Sequence, residues 1–92
     1  MAIITRHVPP PGKAIRIVAR ATSYEEVYRL RGGFQNASGI RRQMPGIYIF
    51  NPAGMVHGGL VCEQTIGLNI LHGNLDEYLE YRFVDLDDKS EV

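Results

Sequence analysis

The chain lacks tryptophan, has a single cysteine, Cys62, and carries no net formal charge over its 92 residues. One cysteine cannot form a disulfide within the chain, so we expect a reducing compartment, with the cytoplasm as the default. No apolar run approaches the roughly 20 residues that cross a bilayer. Arg6 and His7 interrupt the apolar start, which argues against a signal peptide. These absences predict a soluble, cytoplasmic protein.

The composition is that of an ordinary globular protein, with 45% hydrophobic and 22% charged residues. A chain of this length has apolar material for one core only. We therefore predict one small domain over residues 1–92. Within it we expect a possible extended arm at 1–12 that ends at the PPPG run, a mobile loop at 34–46 and a frayed tail at 87–92.

The basic and acidic residues are segregated along the chain. Residues 1–42 contain eight basic and two acidic residues, a net charge of +6, whereas residues 43–92 have the reverse counts and a net charge of −6. Seven of the eight basic residues in the first half are arginines, which suit bidentate contacts with phosphate or carboxylate. The segregation indicates an anionic partner, or else pairing between the two halves within the fold.

Four segments have the composition of β-strands, and one of them, LVCEQTIGLNILHG, is either one long bent strand or two short strands broken near Gly67. AIRIVAR alternates, with Ile15, Ile17 and Ala19 on one side, and predicts a half-buried strand. GIYIF, followed by a turn at Asn51, predicts a strand with a hairpin partner after it. YLEYRFVDL also alternates, although Asn74 leaves a helical turn at 74–80 as an alternative.

TSYEEVYRLRGG predicts the one main helix, at about 24–31. Ser23 and Glu26 have the spacing of a capping box, and Gly32 supplies a helix end. The helical interpretation places Glu25 and Arg29 in solvent, opposite an apolar stripe.

The predicted fold class is α+β, with a small mixed or antiparallel sheet and one main helix. The order β-β-α-β-β(-β) resembles the β-grasp arrangement of ubiquitin-like domains. A ferredoxin-like arrangement is the alternative if residues 74–80 are helical. A small barrel with one helix is the third possibility.

Known catalytic and metal-binding motifs are missing. The glycines after Phe34 lack the spacing and the Lys-Ser/Thr pair of a phosphate-binding loop. His57, Cys62 and His72 lack the paired spacing of a zinc site. We therefore predict no cofactor and no metal. A small enzyme that uses Cys62 with His57 or His72 is kept as a third functional hypothesis.

Our leading functional hypothesis is a non-enzymatic module that binds an anionic partner, either nucleic acid or an acidic protein surface. The alternative is a self-assembling protein–protein interaction module, such as an adaptor or an inhibitor of a larger enzyme. The predicted binding residues are Arg16, Arg20, Arg31, Phe34, Arg41 and Arg42.

Overall fold

The computed structural model describes residues 1–36 and 38–86, and within them it has nine strands and no helix. Among these residues no helix is long and apolar enough to cross a membrane. The strands are β1 (Ala2–His7), β2 (Lys13–Arg20), β3 (Glu25–Arg31), β4 (Phe34–Gln35), β5 (Arg41–Arg42), β6 (Tyr48–Asn51), β7 (Val56–Val61), β8 (Thr65–Leu71) and β9 (Glu77–Asp85).

The strands form two antiparallel sheets. The first sheet has the order β1-β8-β3-β6, and the second has the order β5-β4-β7-β2-β9. Their inner faces meet, since the guanidinium of Arg29 on β3 lies 5.2 Å from the ring centre of Phe34 on β4. The result is two packed layers of sheet, an architecture that buries one face of each sheet against the other.

The α+β prediction is wrong, and with it the β-grasp, ferredoxin-like and one-helix barrel alternatives. The predicted helix at 24–31 is strand β3, with Glu25, Val27 and Arg29 directed inward and the residues between them outward. Glu25 and Arg29 are only 1% and 5% exposed, so the residues expected in solvent lie in the interior. Charges at inward positions conceal the two-residue period that would have predicted a strand.

The capping-box residues bond to distant parts of the chain instead of to a helix N-terminus. The Ser23 hydroxyl donates to the carbonyl of Asn74. Glu26 accepts hydrogen bonds from Tyr48 and is paired with His72 at 2.7 Å. Gly32 does have the positive φ that the sequence predicts, at 75°, but it follows a strand. Tertiary contacts therefore override the local helix signal.

The predicted strand AIRIVAR is β2, and it lies at the centre of the second sheet between β7 and β9. Its alternation buries Ile15 and Ile17 in a cluster with Phe34 and Val61. The opposite face of the sheet is also partly buried, through a smaller cluster around Leu60. Strand β9 begins at Glu77, so the predicted strand is confirmed there and the alternative helical turn at 74–80 is wrong.

Two of the three predicted irregular segments contain strands in the described residues. In the arm at 1–12, β1 pairs with β8 over six residues. The loop at 34–46 contains β4 and β5, which pair with each other. The tail at 87–92 lies outside the described residues.

The turn after Asn51 does not make the expected hairpin. It takes the chain from β6 in the first sheet to β7 in the second. Two backbone hydrogen bonds link this turn to Ala21, one from Ala21 N to Met55 O at 2.9 Å and one from Gly54 N to Ala21 O at 2.6 Å. The turn from β6 to β7 is therefore fixed to the segment that follows β2.

Candidate functional site

A cleft of about 500 Å³ opens between the edge of β6 and the first half of β7. Strand β4 pairs with β7 at Leu60 only, so the residues before Leu60 face the cleft on that edge. The lining residues that matter here are Arg16, Arg42, Phe34, Phe50, Asn51 and His57.

Gly58 allows β7 to run close to β2. Gly58 has φ 150°, and a Cβ there would lie 1.9 Å from the carbonyl oxygen of Ile17. This region of φ is essentially restricted to glycine. The cleft wall therefore depends on residue 58 having no side chain.

The cleft lining is basic although the chain is neutral overall. It contains Arg16 and Arg42 and, among the described residues, no aspartate or glutamate. The Nε atom of Arg16 donates to Glu80 at 2.6 Å, so part of its charge is already compensated. Arg42 is exposed and has no side-chain ion pair among the described residues. Arg42 is the cation that the cleft offers to a ligand.

The predicted binding residues are divided by the fold. Arg16, Phe34 and Arg42 line the cleft, whereas Arg20, Arg31 and Arg41 do not. Arg20 pairs with Glu77 at 3.2 Å, and Arg41 pairs with Glu63. The ion pairs of Lys13, Arg16, Arg20 and Arg41 each join a basic residue of the first half to an acidic residue of the second, whereas Arg82–Glu80 lies within the second half. Pairing within the fold therefore accounts for much of the segregated charge.

Phe34 is not placed for stacking against a ligand base. Only 8% of it is exposed, and it packs with Ile15, Ile17 and Val61. Arg29 covers its ring, and burial lowers the pKa of that guanidinium. Phe50, which the sequence analysis did not single out, borders the cleft on strand β6, and its half-exposed ring lies on the outer face of the first sheet, 5.7 Å from that of Tyr24.

A second group of polar side chains lies between the sheets behind the cleft. The Nε2 atom of His57 on β7 is 3.0 Å from Oδ2 of Asp76 and 3.4 Å from Oε1 of Glu25 on β3. Asn51 and Asn69 donate to the two Glu25 oxygens at 3.0 and 3.4 Å. We call Glu25, His57 and Asp76 the interior triad. His57 and Asn51 face both the cleft and this interior group.

The carboxyl groups of the triad share a poorly solvated space. Burial, followed by the neighbouring Glu25 carboxylate, raises the pKa of Asp76 to about 6, although His57 opposes the shift. The Oδ1 atom of Asp76 is buried and has no hydrogen-bond partner among the described residues. An unpartnered buried oxygen costs free energy, so this group calls for a physical explanation.

Within the described residues, Cys62, His57 and His72 do not lie together as the thiol-enzyme hypothesis requires. Cys62 packs against the cluster of Leu60 and Val84, on the face of the second sheet opposite to His57. His72 stacks on Tyr24, with ring centres 4.0 Å apart, and pairs with Glu26. The structure thus separates the three residues that the sequence analysis grouped.

Comparisons of the chain with protein-family models, curated proteins and solved structures found no match.

Proposed function

We propose that the protein is a non-enzymatic module that binds single-stranded nucleic acid in the cleft. The observation that carries this proposal is a cleft lining with two arginines and, among the described residues, no carboxylate, beside the half-exposed Phe50. A basic groove beside an exposed ring is the general arrangement with which proteins hold unpaired strands. We also propose that the protein is cytoplasmic, as the lone cysteine leads us to expect.

Arg42 and Phe50 have different roles in this proposal. The Arg42 guanidinium contacts a phosphate, because it is exposed and not engaged in an ion pair within the described residues. Phe50, which is about half exposed beside the cleft and lies against Tyr24, stacks on a base. Arg16 adds a second positive charge, weakened by its contact with Glu80.

The test is fluorescence anisotropy of a labelled oligothymidylate, titrated with the full chain across a range of salt concentrations. We expect Arg42→Ala to weaken binding and to reduce the slope of log affinity against log salt by about one. Arg31→Ala is the matched control, because it removes the same charge from an exposed residue outside the cleft.

Two results would overturn the proposal. No binding at low salt means that the arginine charge is consumed within the fold. Tighter binding of a labelled polyglutamate peptide than of the oligonucleotide, with the same Arg42 dependence, means that the anionic partner is an acidic protein surface.

A second candidate function, self-association, is favoured by the outer face of the first sheet. Ile4, Leu68, Tyr28 and Tyr48 form one row across its four strands. Ile4, Tyr28 and Tyr48 are 62%, 40% and 48% exposed. A contiguous exposed apolar surface of this kind is typical of a protein–protein interface.

Light scattering after size-exclusion chromatography tests self-association. We expect a dimer or larger species that Tyr28→Lys dissociates. Phe83→Lys, an equally drastic change of an exposed residue in the second sheet, should leave the oligomer intact. A monomer at every concentration would exclude this candidate.

A further inference from the structure

We infer that the interior triad of Glu25, His57 and Asp76 is a binding site for a divalent transition-metal ion, with zinc as the best fit. This inference concerns the space between the sheets and does not depend on nucleic-acid binding in the cleft. It also differs from the His57, Cys62 and His72 combination that the sequence analysis considered.

The donor atoms are already close together. One ligand atom from each of the three residues lies within 4.8 Å of the others. Zinc bonds of about 2.0 to 2.2 Å in a tetrahedral site place neighbouring ligand atoms roughly 3.3 to 3.5 Å apart. The His57 nitrogen lies 3.0 and 3.4 Å from the two carboxylate oxygens, so small movements would admit the ion.

The buried Asp76 Oδ1 atom is a second and independent indication. It has no hydrogen-bond partner among the described residues, although the Asp76 side chain is only 13% exposed. A cation would compensate the charges of the Glu25 and Asp76 carboxylates at once. The hydrogen bonds of the described residues, by contrast, leave the Oδ1 atom of Asp76 without a partner. The adjoining interior cavity of about 50 Å³ has room for a water molecule as a fourth ligand.

The surroundings of the triad fit a metal site. Asn51 and Asn69 hold the Glu25 carboxylate by hydrogen bonds, as outer partners of metal ligands commonly do. Ala19 lies opposite His57 on the neighbouring strand, and its small side chain leaves space beside the imidazole. One nitrogen and two carboxylate ligands favour zinc over magnesium or calcium, which prefer oxygen ligands alone.

The site would connect the two sheets. Glu25 belongs to the first sheet and His57 to the second, while Asp76 immediately precedes β9. A small domain without a disulfide gains much from such a cross-link, because an ion that binds only the folded chain stabilises it. We therefore assign the ion a structural role.

The first experiment is titration of the metal-stripped full chain with zinc chloride, by calorimetry and by thermal unfolding. We expect one ion per chain and a rise in Tm. Asp76→Asn and His57→Gln should weaken zinc binding about tenfold or more. His72→Gln is the matched control, since it removes a surface histidine outside the triad and should bind zinc like the wild type.

The inference fails if the wild type binds no zinc at one equivalent, or if a folded Asp76→Asn variant binds it unchanged. X-ray absorption of the zinc-loaded wild type gives a test that needs no variant to fold. Nitrogen and oxygen ligands alone support the triad, whereas a sulfur ligand would transfer the site to Cys62.

Discussion

The two ends of the interior between the sheets differ sharply in chemistry. At the apolar end, Ile15, Ile17, Phe34 and Val61 pack together as a cluster of buried hydrophobic side chains. At the other end lies the interior triad, held by asparagines. Apolar burial stabilises the fold directly, whereas buried charges cost free energy unless they are paired. The apolar end therefore stabilises the fold, whereas the triad is the candidate binding site.

Among the changes that distinguish the two ends, we expect Ile15→Ala to lower the free energy of unfolding the most. Ile15 is 1% exposed, and its truncation leaves a cavity that costs about 2 to 5 kcal/mol of unfolding free energy. Urea unfolding measures the change. Ile4→Ala, at a highly exposed position, is the control and should stay within about 0.5 kcal/mol of the wild type. Equal effects at both positions would contradict the assigned core.

Gly58→Ala tests the close approach of β7 to β2. Strand β7 contributes Val61 to the apolar end and His57 to the triad. The new Cβ meets the Ile17 carbonyl oxygen in a conformation that alanine avoids, so we expect a loss of about 3 kcal/mol. Gly12→Ala is the matched control, because Gly12 has φ 74° but open space around it. Its loss should be about 1 kcal/mol, from backbone strain alone. If both variants lose the same amount in thermal or urea unfolding, the close approach of β7 to β2 is wrong.

Asp76→Asn probes the triad in the metal-free protein. The folded-state pKa of Asp76 is raised to about 6 from 3.8, so the folded chain holds the proton more tightly than the unfolded chain. Its stabilising contribution is therefore complete below about pH 4 and is lost as the pH rises through 6. At pH 8 in EDTA, we expect the asparagine variant to gain on the order of 1 kcal/mol relative to the wild type.

Urea unfolding at pH 4 and pH 8 measures this difference for Asp76→Asn. The gain should be smaller at pH 4, where the wild-type carboxyl is protonated. Asp85→Asn at the surface is the control and should not gain stability at pH 8, because Asp85 forms an ion pair with Lys13. A pH-independent difference for Asp76→Asn would show that Asp76 is not the group that titrates.

The smallest effect is expected at the surface pair that adjoins the cleft. Hydrogen bonds from Arg82 and Arg16 lower the pKa of Glu80, so its contribution to stability is present at neutral pH and lost as the pH falls through that lowered value. Glu80→Gln should reduce stability slightly at pH 7 and in low salt, with the difference fading in acid and in high salt. A difference that grows in acid would contradict the ion pair.

Strand positions could be predicted where apolar and polar residues alternate. Ile15 and Ile17 on β2 face the core as the period of two requires. The prediction failed at β3, because Glu25 and Arg29 occupy inward positions that are normally apolar. A helix signal from Ser23 and Glu26 then outweighed the hidden alternation.

The candidate sites could be predicted only in part. The arginine-rich composition indicated anion binding, and Arg16 and Arg42 do line the cleft. The interior triad left no signal, since residues 25, 57 and 76 are far apart in the chain and have no ligand spacing. Packing of the first sheet on the second brings Glu25 and His57 together, and no local pattern records that packing.

The sequence by itself determined which stretches form the clearest strands, the balance of charge and the lack of any disulfide within the chain. These properties depend on composition and on neighbours within a few residues. Only the tertiary structure decided that Glu25 and Arg29 are buried, that Arg16 in the cleft is paired with Glu80, and that His57 meets two carboxylates. The physical reason is that burial and charge pairing depend on contacts between distant residues, which form only when the two sheets pack.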